Sequence, residues 1–145
     1  MAEYFFGKYL HQLDDKNRLR IPAKFRKILI GPDGDRSYYF ARGMEEGSVY
    51  VLTQEELDRI LEKIGDEKMG EATSATLLFT ESIFEAEEDP QGRVVLPAPL
   101  RELSGIEKDL VTVGRVKRIE IWEPDAYRKH IEKQNYKAGF KSLGV

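Results

Sequence analysis

Apolar residues alternate with polar ones in several short stretches and recur at helical spacing in others, and the two periods divide the chain into elements. Alternation predicts strands over 9–13, 18–21, 38–43 and 48–53, the last two joined by a loop holding Met44, Glu45, Glu46 and Gly47. Further strands are predicted over 83–87, 93–96, 109–115 and 118–123. Pro22 and Pro97 each end a strand and suit the first turn of a helix, so short helices follow as AKFRKIL and APLRELS. Thr53 with Glu56, ahead of Leu57, Ile60, Leu61 and Ile64, reads as a capping box opening an amphipathic helix. Glu123-Pro124-Asp125 opens a counterpart, with Ala126, Tyr127, His130 and Ile131 as its buried stripe. The polar connection 65–78 turns apolar at Leu77, Leu78 and Phe79 and is predicted as a further helix, whereas 137–145 is predicted to be a mobile tail.

These elements occur in the same order twice, because the chain contains itself. DDKNRLRIPAKFRKIL (14–29) aligns without a gap on DPQGRVVLPAPLRELS (89–104). Asp14, Arg18, Pro22, Ala23 and Arg26 fall on Asp89, Arg93, Pro97, Ala98 and Arg101, and Leu19, Ile21 and Phe25 fall on Val94, Leu96 and Leu100. A second block repeats as VYVLTQEELDRIL (49–61) over IEIWEPDAYRKHI (119–131). Units of this size are too small to hide much surface alone, so they should share a core or pair with other chains.

Each copy enters a turn built on D-x-x-x-R. An aspartate at a turn start can accept from backbone N–H groups two residues on, and Asn17 or Gly92 just before the arginine tolerates positive φ. Asp14, Asn17, Asp89 and Gly92 are therefore assigned to the turns, and the flanking strands read as hairpins.

Charge changes the picture more than composition does. Net charge is −3, which alone argues against a nucleic-acid partner, but the charges are segregated. Residues 1–30 hold seven Lys/Arg against three Asp/Glu, 31–100 hold six against sixteen, and 101–145 hold ten against seven, so the N-terminal segment presents a local positive field. The chain has no cysteine, which excludes disulfides, thiolate metal sites and thiol nucleophiles. No basic start with an apolar block and no membrane-length apolar run is present, so a cytoplasmic protein without membrane association is expected. His11 and His130 lie in no metal-spaced cluster, the acidic run Glu85, Glu87, Glu88, Asp89 lacks the alternation of a calcium loop, and no catalytic fingerprint is found. No enzyme activity, cofactor, metal or small-molecule substrate is expected, and the acidic run reads as a solvated face or subunit contact.

The pattern D-x-x-[GN]-R-[LV]-x-[IL]-P-x-x-[FL]-R, met twice, resembles the AbrB-like swapped-hairpin fold. With IPAKFR in the first copy and GRVKRIEIW in the second, the chain over residues 4–131 is similar to the MraZ family of transcriptional regulators. The resemblance implies an α+β fold: two AbrB-like swapped-hairpin halves with pseudo-two-fold symmetry, forming one β-core with helices outside. The first repeat would span 4–64, a connecting segment 65–78, the second repeat 79–133 and a C-terminal tail 134–145. It further implies a nucleoid-associated repressor of the division and cell-wall gene cluster, its own gene included, that binds promoter direct repeats and assembles as a ring-like homo-oligomer. Asn17 stands where the family has Gly, and Pro90 where Lys is commoner; with Glu85, Glu87 and Glu88 crowding the second loop, the first hairpin is the better DNA contact.

A two-stranded ribbon fits the major groove of a duplex, where an arginine reaches O6 and N7 of guanine together. Arg18 is the candidate for that contact on G-rich repeats, with Arg93 its second-copy equivalent. Lys16, Arg20, Lys24, Arg26 and Lys27 would neutralise phosphates, and His11 sits on the strand feeding the loop. The alternative for each D-x-x-x-R is that Asp and Arg pair to hold the turn, and Arg26 could equally pair with an acidic neighbour. The competing function is an oligomeric adaptor that binds protein through the acidic middle segment and does not bind DNA.

Overall fold

Short β-branched and aromatic runs dominate the chain, and they pair across the two copies as much as within them. A computed structural model describes residues 3–66 and 75–145. In the first copy it contains β1 (Lys8–Gln12), β2 (Arg18–Leu19), α1 (Ala23–Ile30), β3 (Tyr38–Arg42), β4 (Val49–Thr53) and α2 (Gln54–Gly65). A π-helical turn, Ala75–Phe79, precedes the second copy. There follow β5 (Phe84–Glu85), β6 (Val94–Val95), α3 (Ala98–Ser104), β7 (Asp109–Gly114), β8 (Ile119–Trp122), α4 (Pro124–Glu132) and α5 (Tyr136–Ser142).

Six strands form one antiparallel sheet in the order β1-β7-β8-β4-β3-β5, and β2 pairs with β6 in a separate ribbon. Exchanging the copies turns this order into its own reverse. At the centre of the sheet Tyr50 lies opposite Glu120, its equivalent in the repeat. In the ribbon Leu19 lies opposite Val94, again its equivalent. The leading strand of each copy adds to the other copy's sheet half, β1 on β7 and β5 on β3.

This corrects the local hairpin expectation. The D-x-x-x-R turns do close, with Asp14 N–H donating to Arg18 O (2.9 Å) and Asp89 N–H to Arg93 O (2.8 Å). The strands on either side then diverge: β1 and β5 join β7 and β3 of the sheet, while β2 pairs with β6 in the ribbon.

Strand alternation sorts the sheet's two faces. Phe40, Val49, Val51, Leu110, Ile119 and Ile121 point into one apolar cluster with Leu19, Ile21, Val94 and Leu96 of the ribbon and with Phe25, Leu29 and Leu100 of α1 and α3. Both copies therefore share a single core, as units of this size require. The opposite face is covered in the first copy by α2, where Leu57, Ile60 and Leu61 pack on Ala41, Tyr50 and Leu52. In the second copy α4 packs Ala126 and Tyr127 on Val111, Val113 and Trp122.

Several local expectations need adjustment. Thr53 caps α2 by accepting from Glu56 N–H (3.1 Å), but the Glu56 carboxylate is buried and taken by Arg59, so only half of the capping box forms. On α4 the stripe is half-buried: His130 stacks on Trp122 with centroids 4.7 Å apart, while Ile131 is exposed. The C-terminal segment contains α5, capped by Asn135, and every residue in it is exposed. Of the connecting segment 65–78, residues 67–74 lie outside the described residues, so the helix expected there is untested over that stretch.

Candidate nucleic-acid interface

The β2–β6 ribbon turns Leu19, Ile21, Val94 and Leu96 inward, so by alternation Arg18, Arg20, Arg93 and Val95 face outward. Arg18 lies opposite Val95, and the same register extended by one residue sets Arg20 opposite Arg93. Leu96 N–H donates to Asn17 O (3.0 Å), tying the first turn to the second copy's strand. The ribbon thus presents three guanidinium groups on one outer face, with the two D-x-x-x-R turns at its ends.

Each turn is built alike. Asp14 accepts from Lys16 N–H and Arg18 N–H, both at 2.9 Å, and Asp89 accepts from Gln91 N–H and Arg93 N–H at the same distance. Asn17 and Gly92 take positive φ, 60° and 77°, as the turn position demands. The pairing reading of D-x-x-x-R is also realised: Arg18 Nε donates to Asp14 Oδ2 and Arg93 Nε to Asp89 Oδ2, each at 2.8 Å. Arg18 Nη1 further lies 3.6 Å from Asp89, so the first copy's arginine is shared between the two turns. Desolvation works to raise the Asp14 carboxyl, but the hydrogen bonds from Arg18 and Lys16 outweigh it and hold the group below its ordinary value. Asp89 is lowered by its hydrogen bonds from Arg93 and Gln91. Both carboxylates stay ionised and hold the guanidinium groups in place.

Accessibility separates the candidates. Lys16, Arg20, Lys24 and Lys27 are exposed, whereas the Arg18 and Arg93 side chains retain 20% and 28% of their surface. Lys24 Nζ sits 3.4 Å from the centroid of the Phe6 ring. Arg26 is otherwise engaged: Nε lies 3.0 Å from both Glu88 oxygens and Nη2 donates to Oε1 at 2.7 Å. Tyr38 Oη donates to the other Glu88 oxygen at 2.6 Å. The hydrogen bonds to Glu88 raise the Arg26 guanidinium, and burial followed by Glu88 raises the Tyr38 hydroxyl. This clamp joins α1 and β3 of the first copy to the loop of the second. It gives Glu88 and Arg26 a structural job: of the two readings of Arg26 the pairing with an acidic neighbour is present, and Asp89 is engaged in its turn as assigned. His11 is likewise drawn inward, its Nε2 2.6 Å from Thr112 Oγ1, and burial lowers its pKa so that the neutral ring is favoured.

Sequence reasoning assigned no role to the β7–β8 tip. There Arg115 and Arg118 approach the buried Glu120 at 3.6 and 3.5 Å, and Trp122 Nε1 donates to Glu120 at 2.9 Å. Arg118 also lies over the Tyr50 ring at 4.4 Å. The motif GRVKRIEIW carried the signal, since a carboxylate two residues from an arginine on a fully apolar strand needs a partner.

No group of His, Asp and Glu side chains that could hold a metal is found among the described residues, and no described helix is long and apolar enough to cross a membrane.

Residues 81–141 match the model of the MraZ protein family, described as antitoxin-like. Three relatives carry the name transcriptional regulator MraZ. That of Lactobacillus johnsonii is 39% identical over 133 residues, covering 90% of this chain and 89% of its own. That of Symbiobacterium thermophilum is 37% identical, covering 87% and 88%, and that of Micrococcus luteus 32% identical, covering 90% and 88%.

Proposed function

The chain belongs to the MraZ family, and from that premise we propose that it is a sequence-specific DNA-binding transcriptional regulator. In this reading it represses the division and cell-wall gene cluster that includes its own gene, by binding G-rich direct repeats in the promoter as a ring-like homo-oligomer on the nucleoid. The two halves are swapped-hairpin repeats, 4–64 and 79–133, with 65–78 connecting them and 134–145 as a C-terminal extension. It acts by binding, with no reaction chemistry.

The observation that carries this reading is the outward face of the β2–β6 ribbon, where Arg18, Arg20 and Arg93 stand together beside exposed Lys16. A ribbon of two strands matches the width of the major groove, and an arginine there supplies two parallel donors to one guanine. Arg18 would leave Asp14 to do so, exchanging one charge-assisted pair for another. Lys16, Arg20, Lys24 and Lys27 supply the phosphate contacts, a sequence-independent attraction that salt weakens. Several ribbons on one ring, meeting repeats in register, convert modest single contacts into tight binding.

The test is fluorescence anisotropy with labelled promoter DNA from upstream of the protein's own gene, against a scrambled duplex of equal length. Preference for the promoter, with log K falling by about four per decade of salt for four phosphate contacts per bound chain, is the expected outcome. Equal binding to both duplexes, or none at moderate salt, would favour the protein adaptor.

A further inference from the structure

The duplication provides an internal control: where the two copies differ at equivalent positions, the fold does not dictate the residues. The β3–β4 and β7–β8 hairpins are such a pair, and because β4 runs antiparallel to β8 their tips lie at opposite ends of the central strand pair. One tip reads Met44-Glu45-Glu46, the other Arg115-Val116-Lys117-Arg118. Each exposes one large apolar side chain, Met44 at 79% and Val116 at 57%. Their charges are opposite.

The basic tip is also held in a shape its residues disfavour. Lys117 N–H donates to Arg115 O (2.8 Å), closing a γ-turn with Val116 at φ 68°, an unusual conformation for a β-branched residue. Reciprocal hydrogen bonds between Phe5 and Val116, both 2.8 Å, fasten it, and Gly114 admits this clamp because a Cβ there would lie 2.3 Å from Phe6 N. The first copy turns its corner with Gly43 and Gly47 instead. Arg115 and Arg118 answer in part to the buried Glu120, but the exposed Lys117 and the strained, exposed Val116 are not needed to connect two strands, and it is these that point outside the chain.

We propose that the acidic tip of one chain docks on the basic tip of a second copy, with Met44 against Val116 and Glu45 and Glu46 facing Lys117 and its flanking arginines. Tips at opposite ends of one molecule make the contact heterologous: every chain offers both halves, and the chain of contacts closes when the rotation per copy allows. The inference rests on the self-assembly in the functional reading above and names the surface that carries it. Exposed ion pairs are individually weak, but each copy in a closed ring is held on two sides. DNA phosphate is the other polyanion a cationic tip could take; the matching apolar residue on an acidic counterpart in the same chain favours the second copy.

The test uses the full chain in sedimentation velocity across a salt series. Glu45→Lys with Glu46→Lys makes both tips positive; Val116→Asp with Lys117→Glu cancels the other tip's positive charge and sets carboxylates at its two exposed positions, and aspartate accepts the positive φ. The parent should sediment as an assembly that loosens with salt, each double variant as a single chain with an unchanged circular dichroism spectrum. An equimolar mixture of the two variants should regain the assembly, since contacts of the parent kind then alternate with contacts in which the introduced lysines meet the introduced carboxylates. A parent that sediments as one chain would overturn the assembly itself. A parent and two variants that all assemble would overturn only the tip assignment. Variants that assemble, with only Val116→Asp/Lys117→Glu losing DNA, would give the basic tip to DNA instead.

Discussion

Replacing Glu88 tests how the two copies are joined. Its carboxylate is mostly enclosed, accepts two guanidinium nitrogens of Arg26 and holds the Tyr38 hydroxyl, whose residue is 2% exposed. Arg26 keeps 40% of its side-chain surface, so solvent screens the ion pair and its share is about 1 kcal/mol or less. Glu88→Ala also strands a buried hydroxyl, which costs about 1–3 kcal/mol. The expected loss is roughly 1–4 kcal/mol. Glu88→Gln keeps an acceptor for Tyr38 and should cost only about 1 kcal/mol. In a Tyr38→Phe background no hydroxyl is left to strand, so Glu88→Ala should fall to about the same value. Urea unfolding of the four variants at constant m would measure this. If Glu88→Ala costs no more than Glu88→Gln, or if Tyr38→Phe leaves its cost unchanged, the stranded-hydroxyl argument fails.

The same clamp sets two pH limits. Burial pulls the Glu88 carboxyl up, but Arg26 and Tyr38 outweigh it and leave it below its ordinary 4.5; the stability it contributes is present above that value and is lost as pH falls through the lower folded value. Tyr38 is raised above its ordinary 10.0, so its contribution is full below pH 10 and lost as pH rises beyond it; Tyr38→Phe should remove most of the alkaline decline seen in denaturant midpoints. At the β7–β8 tip, Val116→Asn should raise the melting temperature by relieving backbone strain of about 1–3 kcal/mol with little burial lost, and a lowered value would contradict that reading. Gly114→Ala should be among the most damaging single-methyl changes, at about 3 kcal/mol or more, because its Cβ meets backbone rather than a movable side chain; a thermal melt within a degree of the parent would refute this.

Much of the fold was legible because strand alternation and turn chemistry are local. The tandem D-x-x-x-R blocks located both turns, and Asn17 and Gly92 take the positive φ their positions called for. What the pattern could not tell was which strand each would pair with: β2 has apolar residues at alternate positions whether its partner is β1 or β6, and only closure of the shared core selects β6. The outward placement of Arg18, Arg20 and Arg93 follows from that pairing, so the cluster of three was not visible in advance. For Arg26 the sequence left phosphate contact and pairing with a carboxylate both open, and the partner Glu88 lies in the other copy, where local pattern does not reach. His11 was placed by sequence only on the strand feeding the loop; the pairing of β1 with β7 sets it against Thr112.

Base reading by the ribbon's outer arginines is what makes the binding sequence-specific. Anisotropy titrations of Arg18→Ala and Lys16→Ala, on promoter and scrambled duplexes at two salt concentrations, separate reading from attraction. Losing a bidentate contact of about 1–3 kcal/mol, Arg18→Ala should weaken promoter binding about tenfold or more and erase the preference over scrambled DNA, with its melting curve close to the parent's. Lys16→Ala should weaken both duplexes alike and flatten the salt dependence by about one phosphate. An Arg18→Ala protein that still distinguishes promoter from scrambled DNA as the parent does would contradict the account.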